Sequence, residues 1–340
     1  MDDAIWGKLD AGRDLSLDQM SAAIDQIMQG AWPDEQIARL LLAINAKGPA
    51  VDELAGAAIA MRRNMAAIRT DRTDVIDTCG TGGDGSGTFN ISTAAAIITA
   101  AAGVPVAKHG NRSVTSKTGS ADVLAQLGVN IEASVLQIEH CLNEIGICFC
   151  FAPLAHQSMR HVSAVRKSLG VPTIFNLLGP LCNPAAAQYQ LLGVGRPGMR
   201  DLMAAAVLKL GVRRAVLVTG EDGLDEVTLT GKTHVTLAAD DQLQRWDWSP
   251  VDFGVTPNGL DSMLVNGPAE SAAMIRRVLE KENCPARDIV VLNAAAAIWT
   301  AEKAASPDEA AAMAAEAIDN GAAQRKLEQL AKLSHQVSKF

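Results

Sequence analysis

Residues 77–96 read DTCGTGGDGSGTFNISTAAA, and few folds can house such a stretch. A short apolar run, Val75 and Ile76, leads into Gly80, Gly82, Gly83, Gly85 and Gly87, and from Asn90 an alanine-rich segment has the composition of a helix. Strand, glycine loop and helix N-terminus in that order bring backbone N–H groups and the positive end of a helix dipole to one place, where an anion is favoured. Glycine reaches φ > 0 cheaply and lets the backbone approach phosphate oxygens with no Cβ between them. The stretch therefore reads as a phosphate cradle, set against the blander reading of a flexible turn.

Two well-known phosphate motifs fit poorly. Gly80, Gly82 and Gly85 match a dinucleotide-binding spacing, but that fingerprint expects an acid about 20 positions on for the ribose. Here an alanine run into Gly103 follows, with no acid before Asp122. No G-x-x-x-x-G-K-[ST] occurs, which excludes a P-loop. Asp84 within the loop repels a bare pyrophosphate unless a cation or ribose hydroxyls intervene. The formal net charge of −8 argues against nucleic acid as a partner, while leaving open anionic small molecules that travel with magnesium. The six cysteines show no C-x-x-C spacing and read as buried thiols of a reduced compartment. The first residues, MDDAIWGKLDAG, lack a basic and apolar leader, and the longest apolar stretch, 94–107, is too short to span a bilayer. A cytoplasmic location without membrane contact is the expectation.

Residues 1–70 read as helices only. Ser16 and Gln19 make a capping box ahead of Leu17, Met20, Ile24, Ile27 and Met28 at helical spacing. A second helix opens on Asp34 and Glu35 and ends at Gly48 and Pro49; a third runs from about Asp52. From Val75 short β-branched runs alternate with helical segments, the pattern of an α/β fold. The expected strands are 74–78, 104–107, 146–151, 189–194, 214–219 and 288–292. An antiparallel excursion is expected over 226–248, with Val227-Thr-Leu and His234-Val-Thr-Leu flanking Gly231. Ser306, Pro307, Asp308 and Glu309 start a C-terminal helix. The fold class is thus α/β: a small all-helical N-terminal domain, 1–72, packed directly on a larger α/β domain, 73–340, with a mostly parallel central sheet surrounded by helices.

Three polar motifs each follow an expected strand, and loops at the C-terminal ends of parallel strands share one edge. The first is the glycine loop. The second, KHGNRSVTSKTGS at 108–120, is dense in donors suited to phosphate oxygens. The third, EDGLDE at 221–226, carries the adjacent carboxylates Asp225 and Glu226. Opposite a phosphate cradle these are hard oxygen ligands for magnesium, to which Ser92 can add a hydroxyl. A fourth stretch, 151–185, mixes His156, Arg160, His161 and Arg166 with an apolar run punctuated by Gly and Pro, a wall suited to an aromatic acid. Spacing does not say which arginine holds it.

These residues together resemble the anthranilate phosphoribosyltransferase family: GTGGD at 80–84, NIST at 90–93, KHGNRSVTSK at 108–117, the HVSAVRKSLG and TIFNLLGPLCNPA segments, and Asp225 with Glu226. The resemblance covers essentially the whole chain. It implies transfer of the phosphoribosyl group of 5-phosphoribosyl 1-pyrophosphate to the amine of anthranilate with release of pyrophosphate, the second step of tryptophan biosynthesis from chorismate. It further implies bound Mg2+, a small helical domain that includes a segment near 165–188, and a homodimer joined through the helical domains. Carried over by position, Gly80, Gly83, Asp84, Thr88, Asn90, Ile91, Ser92, Thr93, Lys108, Ser116 and Ser120 are the implied phosphoribosyl pyrophosphate contacts. Gly80, Asn111 and Arg166 are the implied anthranilate contacts, and Ser92, Asp225 and Glu226 the implied metal ligands. No general acid or base is assigned, because an aryl amine is neutral and nucleophilic at pH 7. The rival readings are a pyrimidine nucleoside phosphorylase of related fold and a non-catalytic relative that binds nucleic acid; a dehydrogenase is the weakest.

Overall fold

The computed structural model describes residues 2–113 and 117–336. Helices α1 (Asp2–Asp10), α2 (Leu17–Met28), α3 (Asp34–Lys47) and α4 (Val51–Arg63) form the N-terminal block. The expected signals operate there. The Ser16 Oγ accepts the Gln19 N–H at 3.3 Å while Gln19 Oε1 accepts the Ser16 N–H at 3.1 Å, and Gly48 ends α3 at φ 80°. Glu53, fully buried, ties the block together through Lys47 Nζ at 2.5 Å and the N–H groups of Leu15 and Ala50 at 2.9 and 2.8 Å.

Among the described residues seven strands make one sheet: β1 (Ile76–Gly80), β2 (Val106–Gly110), β3 (Ile147–Phe151), β4 (Tyr189–Gly193), β5 (Arg214–Gly220), β6 (Thr233–Ala239) and β7 (Gln242–Trp248). The order is β3-β2-β1-β4-β5-β6-β7, parallel from β3 through β5 and antiparallel thereafter. Both faces are covered, so residues 215–218 of β5 are apolar without interruption. Val216 and Val218 join a core with Ile97, Ile98 and Leu292, while Ala215 and Leu217 join another with Met203, Leu54 and Phe175. The second core runs from α2, α3 and α4 through Val162, Val165, Ile174 and Leu178 to β4 and the 200–209 helix, so the helical block shares its interior with one face of the sheet. No helix among the described residues is long and apolar enough to cross a membrane.

Two expected elements are corrected. Residues 288–292 are not a strand: they lie in the helix Pro285–Thr300, with proline at its first position and Asp288 in its first turn. That helix is buried nearly all round, so it lacks the polar stripe that would reveal a 3.6-residue period, and its IVVL run imitates a strand. The antiparallel excursion exists but does not turn at Gly231. Val227, Thr228 and Leu229 lie outside every strand, and the hairpin joins β6 to β7 through Asp240 and Asp241 at φ 51° and 57°. Positive φ at both central residues is the tight hairpin geometry. Gly231 has a different use, since a Cβ there would stand 1.9 Å from Glu221 Oε1.

Candidate active site

The chain goes from β1 outward to β2 and β3, then crosses back to place β4 on the other side of β1. The crevice beyond the C-terminal ends of β1 and β4 is therefore the switch point at which open α/β sheets bind ligands. Gly80 and Gly193 end the two strands and pair with each other. Neither position has room for a side chain: a Cβ on Gly193 would lie 1.6 Å from the Asp225 carbonyl oxygen, and one on Gly80 would lie 2.5 Å from Asp225 Oδ2. The two glycines thus let the acidic loop after β5 cross directly over the strand ends.

The glycine loop is fixed at both ends and open between. At its start the Thr81 N–H donates to Gly193 O at 2.8 Å and Thr81 Oγ1 accepts from the Gly195 N–H at 3.0 Å. At its end Thr88 bridges Leu264, the Phe89 N–H donates to Met263 O at 2.9 Å, and the Val265 N–H donates to Gly87 O at 3.0 Å. Between these clamps Gly82, Gly83, Gly85 and Gly87 all have positive φ, at 66°, 81°, 71° and 70°. Among the described residues the backbone N–H groups of Gly83, Asp84 and Gly85 have no acceptor. Successive unpartnered N–H groups in such a backbone form an anion-binding concavity.

The charged groups around this loop are tied to one another. Asp225 Oδ2 accepts the Gly82 N–H at 2.8 Å. Glu226 Oε1 accepts the Ser92 N–H at 3.1 Å, so a carboxylate stands at the positive N-terminus of the helix α5, Ile91–Ala101. Lys108, on β2 and nearly buried, donates to Thr78 O at 2.6 Å and to Ser92 Oγ at 3.2 Å. Burial and then the charge of Asp84 push Asp225 up to about 6. Burial and then the charge of Asp225 push Glu226 up to about 8, while burial lowers Lys108. Two carboxylates raised above their ordinary range, with the charge of Asp84 beside them, fit a divalent cation. Among the described residues no group of three His, Cys, Asp or Glu forms a metal cage by itself.

The other sequence-predicted residues fall into distinct places. The Asn90 Oδ1 accepts from Ser271 Oγ at 2.9 Å and from Thr118 Oγ1, joining the glycine loop to the 117–120 segment. Thr88 Oγ1 lies 3.1 Å from Ser86 Oγ. Ile91 and Thr93 are buried on α5, and their N–H groups donate to Phe89 O and Asn90 O at 2.8 and 3.1 Å. Ser120 Oγ donates to Asn111 O at 3.4 Å, and Asn111 Oδ1 accepts the Arg112 N–H at 2.8 Å. Ser116 lies outside the described residues. Arg166, in the helix Arg160–Leu169, makes one long bond of 3.4 Å to Asn176 Oδ1, and its guanidinium stands 5.5 Å from the Phe175 ring centre. It makes no hydrogen bond to the other candidate residues among those described.

Three features escaped the sequence reading. His109 and His156 are both buried with ring centres 5.1 Å apart; His109 Nδ1 lies 3.0 Å from Gly179 O, and neither nitrogen of His156 has a partner among the described residues. Ser271 braces Asn90, donating to its side chain and accepting its N–H at 3.0 Å. Asn293 braces the acidic loop. The one available signal was Asn293 itself, a lone polar residue inside the apolar run 289–298.

Comparison with known proteins gives the family of the chain. Residues 4–65 match the glycosyl transferase family helical bundle domain, and residues 72–324 match the glycosyl transferase family a/b domain. The chain is 51% identical over 321 residues to anthranilate phosphoribosyltransferase of Rhodopirellula baltica, covering 94% of each. It is similar in structure to anthranilate phosphoribosyltransferase of Thermus thermophilus, with TM-score 0.91 and 38% identity over 97% of this chain and 99% of that one. The enzyme of Saccharomyces cerevisiae, solved with phosphoribosyl pyrophosphate and Mg, gives TM-score 0.87 and 28% identity over 97% of both chains.

Proposed function

This chain belongs to the anthranilate phosphoribosyltransferase family, and we propose that the edge of its sheet at β1 and β4 carries out that transfer through the residues described above. The enzyme moves the phosphoribosyl group of 5-phosphoribosyl 1-pyrophosphate to the amine of anthranilate and releases pyrophosphate, a step of tryptophan biosynthesis. The observation that carries the site assignment is the run of N–H groups at Gly83, Asp84 and Gly85 without an acceptor among the described residues, beside an acidic pair and a buried lysine at the switch point.

As the bond from ribose C1 to pyrophosphate breaks, negative charge grows on the leaving group and positive charge on the sugar. The glycine-loop N–H groups and the remaining donor of Lys108 oppose the first. Asp225 and Glu226, with the Ser92 hydroxyl, would hold Mg2+, which when bound supplies positive charge to the pyrophosphate. Asn90, Thr88 and Ser120 supply further polar contacts to the substrate, and Asn111 and Arg166 orient the anthranilate carboxylate and amine. The aryl amine needs no strong base, so holding it against C1 supplies much of the acceleration. In this reading residues 1–72 and the segment near 165–188 act as a small domain against 73–340, which the shared core of α2–α4 with Val162, Val165 and Leu178 supports. The working form is a cytoplasmic homodimer joined through the helical block, where Leu42 on α3 stands exposed.

The test is a coupled assay with anthranilate, phosphoribosyl pyrophosphate and magnesium. Formation of phosphoribosylanthranilate with matching pyrophosphate release is the expected result. Phosphorolysis of a pyrimidine nucleoside in its place would overturn the reading.

A further inference from the structure

Asn293 sits in the middle of the helix Pro285–Thr300, fully buried between Leu292 and a run of alanines. Asparagine is a poor helix former, and a buried amide is costly unless all its polar atoms are bonded. Here they are. Asn293 Oδ1 accepts the Val227 N–H at 2.8 Å, and Asn293 Nδ2 donates to Val227 O and to Ile289 O, each at 2.9 Å. Both backbone polar groups of the residue directly after Glu226 are therefore held by one side chain from a rigid helix. The same amide lines a small cavity together with Glu226, Ser92, Thr78 and Cys79.

The acidic loop needs such a hold, because Asp84, Asp225 and Glu226 repel one another. Farther along, Asp222 Oδ2 accepts from Thr228 Oγ1 at 2.6 Å and from Thr230 Oγ1 at 2.8 Å, but it reaches nothing next to Glu226 on that side. Thr228 is held by its N–H to Thr233 Oγ1 at 3.0 Å, but among the described residues Asn293 is the one side chain that bonds the Val227 backbone itself, and so resists a turn there that would carry the Glu226 carboxylate away from Ser92. We infer that Asn293 is a positioning residue for the acidic pair, its amide fixing the Val227 backbone so that Glu226 stands where a divalent cation requires it. The inference rests on the reading that Asp225 and Glu226 hold the cation.

Magnesium demands near-octahedral oxygen geometry and tolerates little displacement of a ligand. Loss of an outer partner that orients a ligand typically weakens metal binding about 10- to 100-fold. The experiment measures Mn2+ binding to the full-length protein by electron paramagnetic resonance with saturating phosphoribosyl pyrophosphate, beside a melting curve and the KM for anthranilate. Three variants are compared: Asn293→Ala, Glu226→Gln, and Thr300→Val. Thr300→Val removes a buried hydroxyl that bonds Ala296 O within the same helix and so reports general destabilisation. Asn293→Ala should raise the Mn2+ dissociation constant about tenfold, with the anthranilate KM unchanged and Thr300→Val at the wild-type value for both. An Mn2+ constant for Asn293→Ala no higher than that of Thr300→Val overturns the positioning role. If Glu226→Gln weakens Mn2+ binding and Asn293→Ala does not, only that role falls. If Glu226→Gln also binds Mn2+ as the wild type does, the acid-pair reading has failed with it. Should Asn293→Ala give no folded protein, Asn293→Ser takes its place, since its hydroxyl can satisfy Ile289 O within the helix without reaching Val227.

Discussion

At the glycine-loop edge each charged side chain is fixed by a partner: Asp225 by the Gly82 N–H, Glu226 by the Ser92 N–H, Lys108 by Thr78 O and Ser92 Oγ. On the 156–182 segment, among the described residues, Arg166 has a single 3.4 Å bond and His156 has none. In the function proposed above, the phosphate half is assembled before any substrate arrives, so its donors need no reorganisation as charge develops. The proposed acceptor half carries polar groups whose hydrogen bonds are left to be made, which suits a site completed by its ligand. Changes in the first half should therefore act through geometry, and changes in the second through binding.

The largest effect is expected from Gly193→Ala. The new Cβ would fall 1.6 Å from the Asp225 carbonyl, backbone against backbone, so the acidic loop must move by more than an ångström. Misplacement on that scale costs about 100-fold in kcat/KM. Gly198→Ala, which meets nothing within 4 Å, should match the wild type. Near-normal turnover in Gly193→Ala would mean that the first half is not preorganised, and the contrast would collapse.

A loss confined to one substrate is expected from Arg166→Ala. A hydrogen bond to a charged group is worth ~1.5–3 kcal/mol, so anthranilate affinity should drop roughly 10- to 150-fold while the phosphoribosyl pyrophosphate requirement stays put. Steady-state kinetics with each substrate varied makes the comparison. An equal loss for both substrates with a lower melting temperature would recast Arg166 as a tether to Asn176 and Phe175.

What the sequence made legible follows the range of each interaction. The glycine loop was readable because the demand for positive φ is local, as were the Ser16 box and the Gly48 stop. The three loops at one edge followed from strand–loop order alone. The reasons for individual residues did not: Gly193 is needed because Asp225 crosses it, and Ser271 and Asn293 bond partners 181 and 66 positions away. The helix Pro285–Thr300 was misread for the same reason that it works. Burial on all sides erased its period, and the one residue that broke the apolar run was the brace.

The smallest effect, absent at neutral pH, sharpens the contrast by asking how dry the acceptor half is. Burial lowers His109 from 6.5 to about 3, with the neighbouring His156 adding repulsion, and burial lowers His156 from 6.5 to about 4. Above pH 6.5 both residues are neutral whether the chain is folded or not, and they give no slope. Between 6.5 and about 4 the unfolded chain takes up protons that the folded chain refuses, so stability falls as the pH falls. At pH 5 the difference amounts to about 2 kcal/mol for each histidine, from roughly 1.5 pH units at 1.36 kcal/mol per unit. Other groups titrate in the same window, so the informative quantity is the difference between wild type and His156→Gln, which cannot take up the proton. Denaturant unfolding at pH 7 and pH 5 should show the wild type losing about 2 kcal/mol more than the variant over that interval. Equal losses would mean that His156 is hydrated or bonded in solution, and that the second half of the site is as well satisfied as the first.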